Sequence, residues 1–371
     1  MSINPQLGKL KTFFKHSDFA VLTIFFFLIA LSGLYSENFQ YFSIKQTLRG
    51  PLLFLPIVFY VLPKFTKQQF FGLFIYLSLI MLLQSFVIVG KFALNQEFYI
   101  SEIGRGKALP TPISHIRYSL LTVFCIFSCF FCWKEKVKMK WNWEPTMYLI
   151  LAVLHVIMLH FLAVRSGLLA FYVTTILLLF IYIFRTRNYR NGILILLFLF
   201  LIPVITFQNF PSLKQKWNYM KYDFEQFSKG NTGTYSDKDR INSLFIGWEL
   251  IKENPIVGLG AGDILDEMQK QTLKTYPESN GNIKLPHNQL MTTMVSGGIV
   301  GLFLFLLAFL LPVFYKGNYR HPFIFVITAV IGISFLTEDT FESSVGVTIY
   351  AFFLCVSLNY KKDESSLISI I

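Results

Sequence analysis

The chain has 371 residues, of which 54% are hydrophobic, 18% aromatic and 15% charged, and its mean hydropathy is +0.54. Soluble domains carry nearer a quarter charged residues, so this composition excludes an ordinary soluble domain. The formal net charge of +12 does not indicate nucleic-acid binding, because no soluble segment interleaves basic residues with stacking aromatics. It is typical of cytoplasmic loops that face anionic lipid.

Apolar runs recur along the chain at the length of about 20 residues that a helix needs to cross a hydrocarbon core. The sequence therefore predicts an all-α, polytopic membrane helical bundle of about ten spans. These spans are expected at residues 19–35, 46–63, 69–90, 117–133, 146–163, 167–184, 192–207, 288–315, 322–338 and 344–360.

Basic residues orient the predicted spans, because short cytoplasmic loops collect Lys and Arg. With ten crossings and both termini cytoplasmic, 16 of the 33 basic residues lie in cytoplasmic segments. The second span is the weakest, but omitting it would place the cluster between Lys134 and Lys140 outside. We therefore expect a single integral membrane domain over residues 1–371, with one large extracytoplasmic loop at 208–287 between spans seven and eight.

The long loop contains its own helical pattern. Apolar residues recur at helical spacing from residue 240 to 253, which predicts an amphipathic helix that ends at Asn254-Pro255. Gly258, Gly260 and Gly262 follow and predict a flexible turn. Because these glycines come after a helix rather than a strand, they are not a dinucleotide-binding fingerprint.

Three polar residues near the expected outer boundary are candidate functional groups. Arg165 lies between two spans that are almost directly connected; an interfacial anchor is the alternative role. Arg240 begins the loop helix, and its guanidinium suits bidentate phosphate binding, whereas a solvated charge is the alternative. His287 precedes a long span and suits a general base, although capping and interfacial histidines are more frequent.

An acidic group is expected at the outer end of the ninth span. Glu338, Asp339 and Glu342 lie there. Three interpretations are open for these carboxylates: they bind a cation, they are solvated, or one of them pairs with Arg165 or Arg240. No His, Cys and Asp set has the sequence spacing of a metal site, so no metal is predicted.

Four short motifs occur in a fixed order between Arg165 and Leu302. They are Val164-Arg165-Ser166-Gly167, Arg240-x7-Trp248-x5-Asn254-Pro255-x2-Gly258-x-Gly260, His287-Asn288-Gln289-Leu290 and Gly297-Gly298-Ile299-Val300-Gly301-Leu302. Together they resemble the O-antigen ligase and O-antigen polymerase superfamily, and Leu336-Thr337-Glu338 fits its later membrane part. The earlier spans resemble that superfamily only as hydrophobic helices.

The resemblance implies a multi-pass glycosyltransferase of the bacterial plasma (inner) membrane with an extracytoplasmic (periplasmic) active site. Such enzymes move a glycan from an undecaprenyl-pyrophosphate carrier to an acceptor hydroxyl with inversion, and they need no metal, cofactor or nucleotide sugar. Ligases use the lipid A-core as acceptor, polymerases use a growing glycan, and protein O-oligosaccharyltransferases use Ser or Thr. We expect a ligase; a polysaccharide or small-molecule transporter is the alternative from another class.

The resemblance also implies roles for particular residues. His287 is the expected catalytic base, and Arg165 and Arg240 are the expected pyrophosphate ligands. The residues expected to support them are Asn288, Trp248, Glu338 and Lys252. The expected partners are the lipid-linked glycan donor, the lipid A-core or glycan acceptor and membrane lipids, without nucleic acid. Larger ligases have about a dozen spans and often a further loop arginine, which this chain lacks.

Overall fold

The computed structural model describes residue 8 and residues 10–228, 236–277 and 285–361. Within these ranges the backbone forms α-helices and short 3₁₀ helices and no strand. The chain forms two compact units, one from Met1–Phe65 with Asp237–Leu367 and the other from Thr66–Ser236. The predicted all-α class is confirmed, while the prediction of a single integral domain stays a prediction.

The first unit contains helices from both ends of the chain. They are α1 (Ser17–Leu31), α2 (Phe39–Leu48), α3 (Pro51–Val61), α11 (Ser236–Glu253), α12 (Ile264–Thr275), α13 (Gln289–Phe314), α14 (Pro322–Ser334) and α15 (Ser344–Lys361). Helix α3 packs against α1 and α15, α13 packs against α1, and α14 packs against α15. The connections between α13 and α15 contain the 3₁₀ helices Tyr315–Arg320 and Thr340–Glu342.

The second unit is a bundle of consecutive helices. They are α4 (Lys67–Leu94), α5 (Gln96–Gly104), α6 (His115–Lys134), α7 (Glu144–Leu162), α8 (Arg165–Thr186), α9 (Tyr189–Asn209) and α10 (Pro211–Ser228). Helix α6 is the central element, because it packs against α4, α7 and α8. The long loop predicted at 208–287 is therefore divided, with α10 in this unit and α12 in the first.

Eight helices in the described ranges are long and apolar enough to cross a membrane, in agreement with a polytopic membrane protein. The predicted second and ninth spans contain shorter helices, Pro51–Val61 with 11 residues and Pro322–Ser334 with 13. At 1.5 Å per residue, these reach about 16 and 20 Å, less than the hydrocarbon core. The count of ten spans and the cytoplasmic position of the termini stay predictions.

The predicted second span, 46–63, is not continuous. Helix α2 ends at Leu48 and α3 begins at Pro51, so Arg49 and Gly50 interrupt it. The cause is Pro51, which has no N–H to continue the helical hydrogen-bond ladder. The interruption places Arg49 in a turn instead of inside a span.

The glycines after α11 do not form the flexible turn that the sequence predicts. Gly258 (φ +66°) lies against a break in α13 at Gly298 (φ +60°). A Cβ on Gly258 would approach the backbone nitrogen of Gly297 to 2.5 Å, and a Cβ on Gly298 would overlap the carbonyl of Ile256. Only glycine allows two backbones to approach so closely.

Backbone hydrogen bonds hold the two glycine segments together. The amides of Leu259 and Gly260 donate to the carbonyls of residues 295 and 296, at 3.0 and 2.9 Å. In return, the amides of Ile299 and Val300 donate to the carbonyls of residues 255 and 256, at 2.8 and 3.2 Å. The segment after α11 therefore fills the break in α13 and fixes the first half of that helix.

An apolar cluster extends this connection. It consists of Ile246, Leu250 and Ile251 on α11, Ile264 and Met268 on α12, and Val295 on α13. Gly247 brings α11 near the start of α13, because a Cβ there would lie 2.9 Å from Pro286 Cγ and 3.1 Å from Met291 Sδ. The second half of α11 and the residues around the start of α13 are thus parts of one packed region.

Candidate functional site

The start of α13 is fixed against the turn that follows α14. The Asn288 side chain caps α13 by accepting from the Met291 amide at 3.0 Å, and its Nδ2 donates to the Leu336 carbonyl at 3.4 Å. The Gln289 amide donates to the Phe335 carbonyl at 2.9 Å, and its Oε1 accepts from the Phe341 amide at 2.7 Å. These bonds set the position of the preceding residue, His287.

Glu338 lies at the centre of a charged cluster. Its Oε1 is 3.4 Å from an Nη of Arg240, and its Oε2 is 3.6 Å from Nδ1 of His287. The Glu338 side chain is 3% exposed, against 32% for Arg240 and 23% for His287. The structure thus brings together the predicted base, one predicted phosphate ligand and the carboxylate that the sequence offered as a partner for Arg240.

The burial of Glu338 explains this arrangement. A buried carboxylate is strongly destabilising unless cations or hydrogen bonds compensate it. Nδ1 of His287 is itself buried and makes no hydrogen bond within the described part of the chain. At 3.6 Å it is beyond ordinary hydrogen-bond length, so its contact with Glu338 is electrostatic.

Three side chains of this region have donor atoms close enough together to ligate one metal ion. One donor atom from each of His287, Glu338 and Asp339 lies within 4.8 Å of the others. Sequence spacing could not indicate this set, because its members lie on two distant segments. A divalent cation here would also be repelled by Arg240, which is already 3.4 Å from Glu338.

Arg165 lies in the second unit, at the first residue of α8. Helix α7 ends at Leu162, and Ala163 (φ +51°) makes the left-handed turn into α8. The direct connection predicted from the sequence is therefore confirmed. Gly167 allows α8 to pack closely, because a Cβ there would lie 2.5 Å from Ser119 Cβ. The participation of Arg165 in one site with Arg240 and His287 stays a prediction.

Two of the expected supporting residues form a surface pair on α11. Trp248 is half exposed, and Nζ of Lys252 lies 5.9 Å from its ring centroid. Such a pair presents an aromatic face and a positive charge together. Asn288 has a structural function, because its side chain caps α13.

The acidic group predicted near the ninth span is divided in the structure. Glu342 pairs with Arg49 at 2.8 Å and with Lys45 at 3.2 Å, in a second cluster of the first unit. Burial alone would raise the pKa of Glu342, but the two cations outweigh it and hold that pKa below its usual value. Arg49 is not a predicted functional candidate, because the sequence shows it only as a basic residue beside a short outer segment at the start of the predicted second span.

Comparison with known proteins agrees with the sequence motifs. Residues 147–306 match the family model described as O-antigen ligase. A protein of Haemophilus influenzae that is named only as uncharacterized is 27% identical over 247 residues, which cover 62% of this chain and 57% of that relative. The family match confirms the resemblance to the O-antigen ligase superfamily. The matched segment includes Arg165, Arg240 and His287 and ends before Glu338.

Proposed function

From this match to the O-antigen ligase superfamily, we propose that the protein is an inverting glycosyltransferase. It moves a glycan from an undecaprenyl-pyrophosphate carrier to an acceptor hydroxyl at the outer face of the plasma membrane. The observation that carries the proposal is the contact of both Arg240 and His287 with the buried carboxylate of Glu338. The proposed phosphate ligand and the proposed general base therefore belong to one cluster.

His287 is the general base in this proposal. Its Nδ1 faces Glu338, so Nε2 is the nitrogen that accepts the proton of the acceptor hydroxyl. The acceptor oxygen attacks the anomeric carbon, the bond from that carbon to the pyrophosphate oxygen breaks, and undecaprenyl pyrophosphate leaves. Glu338 orients the imidazole ring and offsets the positive charge that it gains, as carboxylates do in catalytic triads.

Arg240 binds the pyrophosphate group in this proposal. A guanidinium has five N–H donors, so the contact with Glu338 leaves donors for phosphate oxygens. Glu338 also cancels part of the Arg240 charge, and a pyrophosphate leaving group needs more positive charge than remains. Arg165 is the proposed source of that charge, and it requires α8 to contribute to the same site.

The break in α13 differs from the helix breaks of transporters. Transporters use discontinuous helices whose exposed ends bind substrate or ions. Helix α13 is discontinuous at Gly298, but backbone from residues 255–260 occupies the break and satisfies its polar groups. The break therefore supports a structural connection between α11 and α13.

A deletion strain tests the proposal and separates ligase from polymerase. Full-length polymer accumulating on undecaprenyl pyrophosphate indicates a ligase with the lipid A-core as acceptor. Accumulation of single repeat units indicates a polymerase, and loss of glycan from a surface protein indicates protein O-glycosylation. Normal surface glycan and normal carrier-linked species in the deletion strain would contradict the proposal.

A further inference from the structure

The first unit contains a cavity of about 260 Å³ that no proposed catalytic residue lines. Helices α1, α3 and α13 enclose it together with the 3₁₀ helix Thr340–Glu342. Its volume far exceeds the space that one water molecule needs, about 10–15 Å³ by the same measure. The cavity is therefore large enough for part of an organic ligand.

The cavity has an exposed apolar rim. Leu31, Tyr35, Val257 and Val300 line it, and each is between 46% and 57% exposed. Deeper lining residues are buried, among them the apolar Leu52, which is 1% exposed. An apolar entrance on a membrane helix bundle favours a hydrocarbon chain over a water-soluble molecule.

Arg49 is a cation at the buried end of this cavity. It is 8% exposed and lines the cavity, and one Nη donates to Glu342 at 2.8 Å. Its other Nη is buried and makes no hydrogen bond within the described residues. A buried donor without an acceptor is destabilising, so this nitrogen marks the place of a missing acceptor.

The charges around Arg49 favour an anionic acceptor. Lys45 and Arg49 supply two positive charges, and Glu342 supplies one negative charge. Gln289, Thr293 and Ser296 also line the cavity with neutral polar side chains. One positive charge therefore remains beside a donor that lacks a partner.

We propose that this cavity binds a membrane lipid whose phosphate headgroup carries a net negative charge, with the phosphate on Arg49 and the chain between α1 and α13. A guanidinium is suited to phosphate oxygens because it presents several donors in one plane. The apolar rim favours a phosphate that is carried by a lipid, because the lipid chain can pack against apolar side chains. A free phosphate ion has no apolar part that the rim could bind.

This lipid site is separate from the proposed catalytic cluster. Gln289 is the lining residue nearest in the chain to His287, and its side chain is held on the cavity side. Its Oε1 accepts from the Phe341 amide, and its Nε2 donates to Thr293 at 3.3 Å. Neither His287 nor Glu338 lines the cavity. Lipid binding therefore does not depend on the proposed transfer reaction, and the two can be tested apart.

The test uses the full-length protein in detergent and native mass spectrometry. We expect one phosphatidylglycerol or undecaprenyl phosphate molecule per chain, and much weaker retention of phosphatidylcholine, whose headgroup has no net charge. Equal retention of phosphatidylcholine, or binding of inorganic phosphate alone at the same site, would overturn the proposal.

Two variants assign the binding to this cavity. Arg49→Gln should weaken binding about tenfold or more, because it removes a charge-assisted hydrogen bond, while Lys45 still compensates Glu342 at 3.2 Å. Gly301→Leu should fill part of the cavity while Arg49 itself is unchanged, since Gly301 lines the cavity and the nearest atom to a Cβ there is the Thr293 carbonyl oxygen at 3.6 Å. Arg49→Lys should retain part of the binding.

The matched control is Gly90→Leu in α4, because a Cβ on Gly90 has no atom within 4 Å. It should bind lipid as the unchanged protein does. His287→Ala should also bind lipid normally, even where transfer is lost, which separates this proposal from the catalytic one. Unchanged lipid retention in folded Gly301→Leu and Arg49→Gln proteins would place the lipid elsewhere and overturn the inference.

Discussion

The two units use their polar side chains differently. In the second unit, polar groups join helices of the bundle: His155 meets Ser78 at 2.8 Å, and His160 meets Tyr172 at 2.7 Å. In the first unit, Glu338 meets Arg240, which lies 98 residues away in the chain, and Glu342 meets Arg49, which lies 293 residues away. The first unit thus gathers charges from distant segments around two buried carboxylates.

The second unit also buries carboxylates, since Glu144 and Asp223 are 4% and 3% exposed, and Glu144 accepts hydrogen bonds from the nearby backbone amides of residues 140 and 141. Neutral polar pairs inside a bundle satisfy hydrogen bonds and fix helix packing. A buried carboxylate is stable only when neighbouring cations or hydrogen bonds compensate its charge, and helix packing does not need such a group. Buried charged clusters are frequent at functional sites. Arg165 is the residue by which the second unit is predicted to take part in the same chemistry.

The largest effect is expected from His287→Ala. Removing a general base commonly lowers the rate about 10²–10⁴-fold, and we expect that loss in glycan transfer measured with carrier-linked donor. His16→Ala is the control, because His16 is exposed and lies 4.9 Å from Tyr60 by ring centroids. An unchanged rate of glycan transfer in the His287→Ala protein would show that His287 is not the general base.

Arg165→Ala tests whether the second unit contributes to catalysis. Losing one partner of a desolvated charge pair costs about 2–5 kcal/mol, so we expect a large rate loss similar to that of Arg240→Ala. Arg165→Lys should recover little, because Lys does not reproduce the planar fork. Full activity in a correctly inserted Arg165→Ala protein would confine the chemistry to the first unit.

Glu338→Gln should have a smaller effect, because Glu338 is a positioning residue. Loss of a charge-assisted contact of about 1.5–3 kcal/mol corresponds to roughly a 10- to 150-fold fall in kcat. Glu338→Asp should recover part of the rate by restoring the charge, whereas a merely structural role would be met equally well by Gln. An unchanged kcat in Glu338→Gln would separate Glu338 from the reaction.

Gly298→Ala should act on stability rather than on chemistry. Alanine is strained at φ +60°, and its Cβ would overlap the Ile256 carbonyl, so we expect a loss of more than about 1 kcal/mol. The measurement is thermal unfolding of the detergent-solubilised protein. Gly301→Ala is the control, since its Cβ would meet only the Thr293 carbonyl oxygen at 3.6 Å. Equal unfolding temperatures for the two variants would contradict the docking of the two glycine segments.

The smallest effect is expected from metal chelation. The donor atoms of His287, Glu338 and Asp339 are close enough for a metal, but Arg240 opposes a cation there. We therefore expect transfer to be unchanged after dialysis against EDTA. A loss of activity that Mg²⁺ or Mn²⁺ restores would assign this cluster to metal binding instead of acid–base chemistry.

Much of the helical architecture could be predicted from hydrophobic length and charge. The helix predicted at 240–253 is confirmed as the larger part of α11, and Asn254-Pro255 ends it as predicted, whereas the apolar side chains of Phe245 and Trp248 are exposed. These features depend on local sequence, because periodicity and proline act within a few residues. The start of the second span was predicted less well, because the structure interrupts 46–63 at Arg49 and Gly50.

The clusters themselves depend on contacts between distant residues. The sequence offered Arg165 and Arg240 as alternative partners for the acidic group, and only the structure pairs Arg240 with Glu338. Likewise, Gly258 was expected to belong to a flexible turn and Gly298 was named only within a motif, whereas in the structure each glycine is required by the backbone of the other. A single sequence contains no signal for such pairings, since spacing along the chain does not determine distance in space.

The position of Glu338 in the chain has a consequence for biosynthesis. Chains fold from the N-terminus as they are made, and Arg240 and His287 both precede Glu338. A nascent chain that has not reached residue 338 holds the Arg240 guanidinium without the carboxylate that compensates its charge. The cluster is therefore completed only once residue 338 has been made, so Arg240 and His287 are both synthesised before the residue that brings them together.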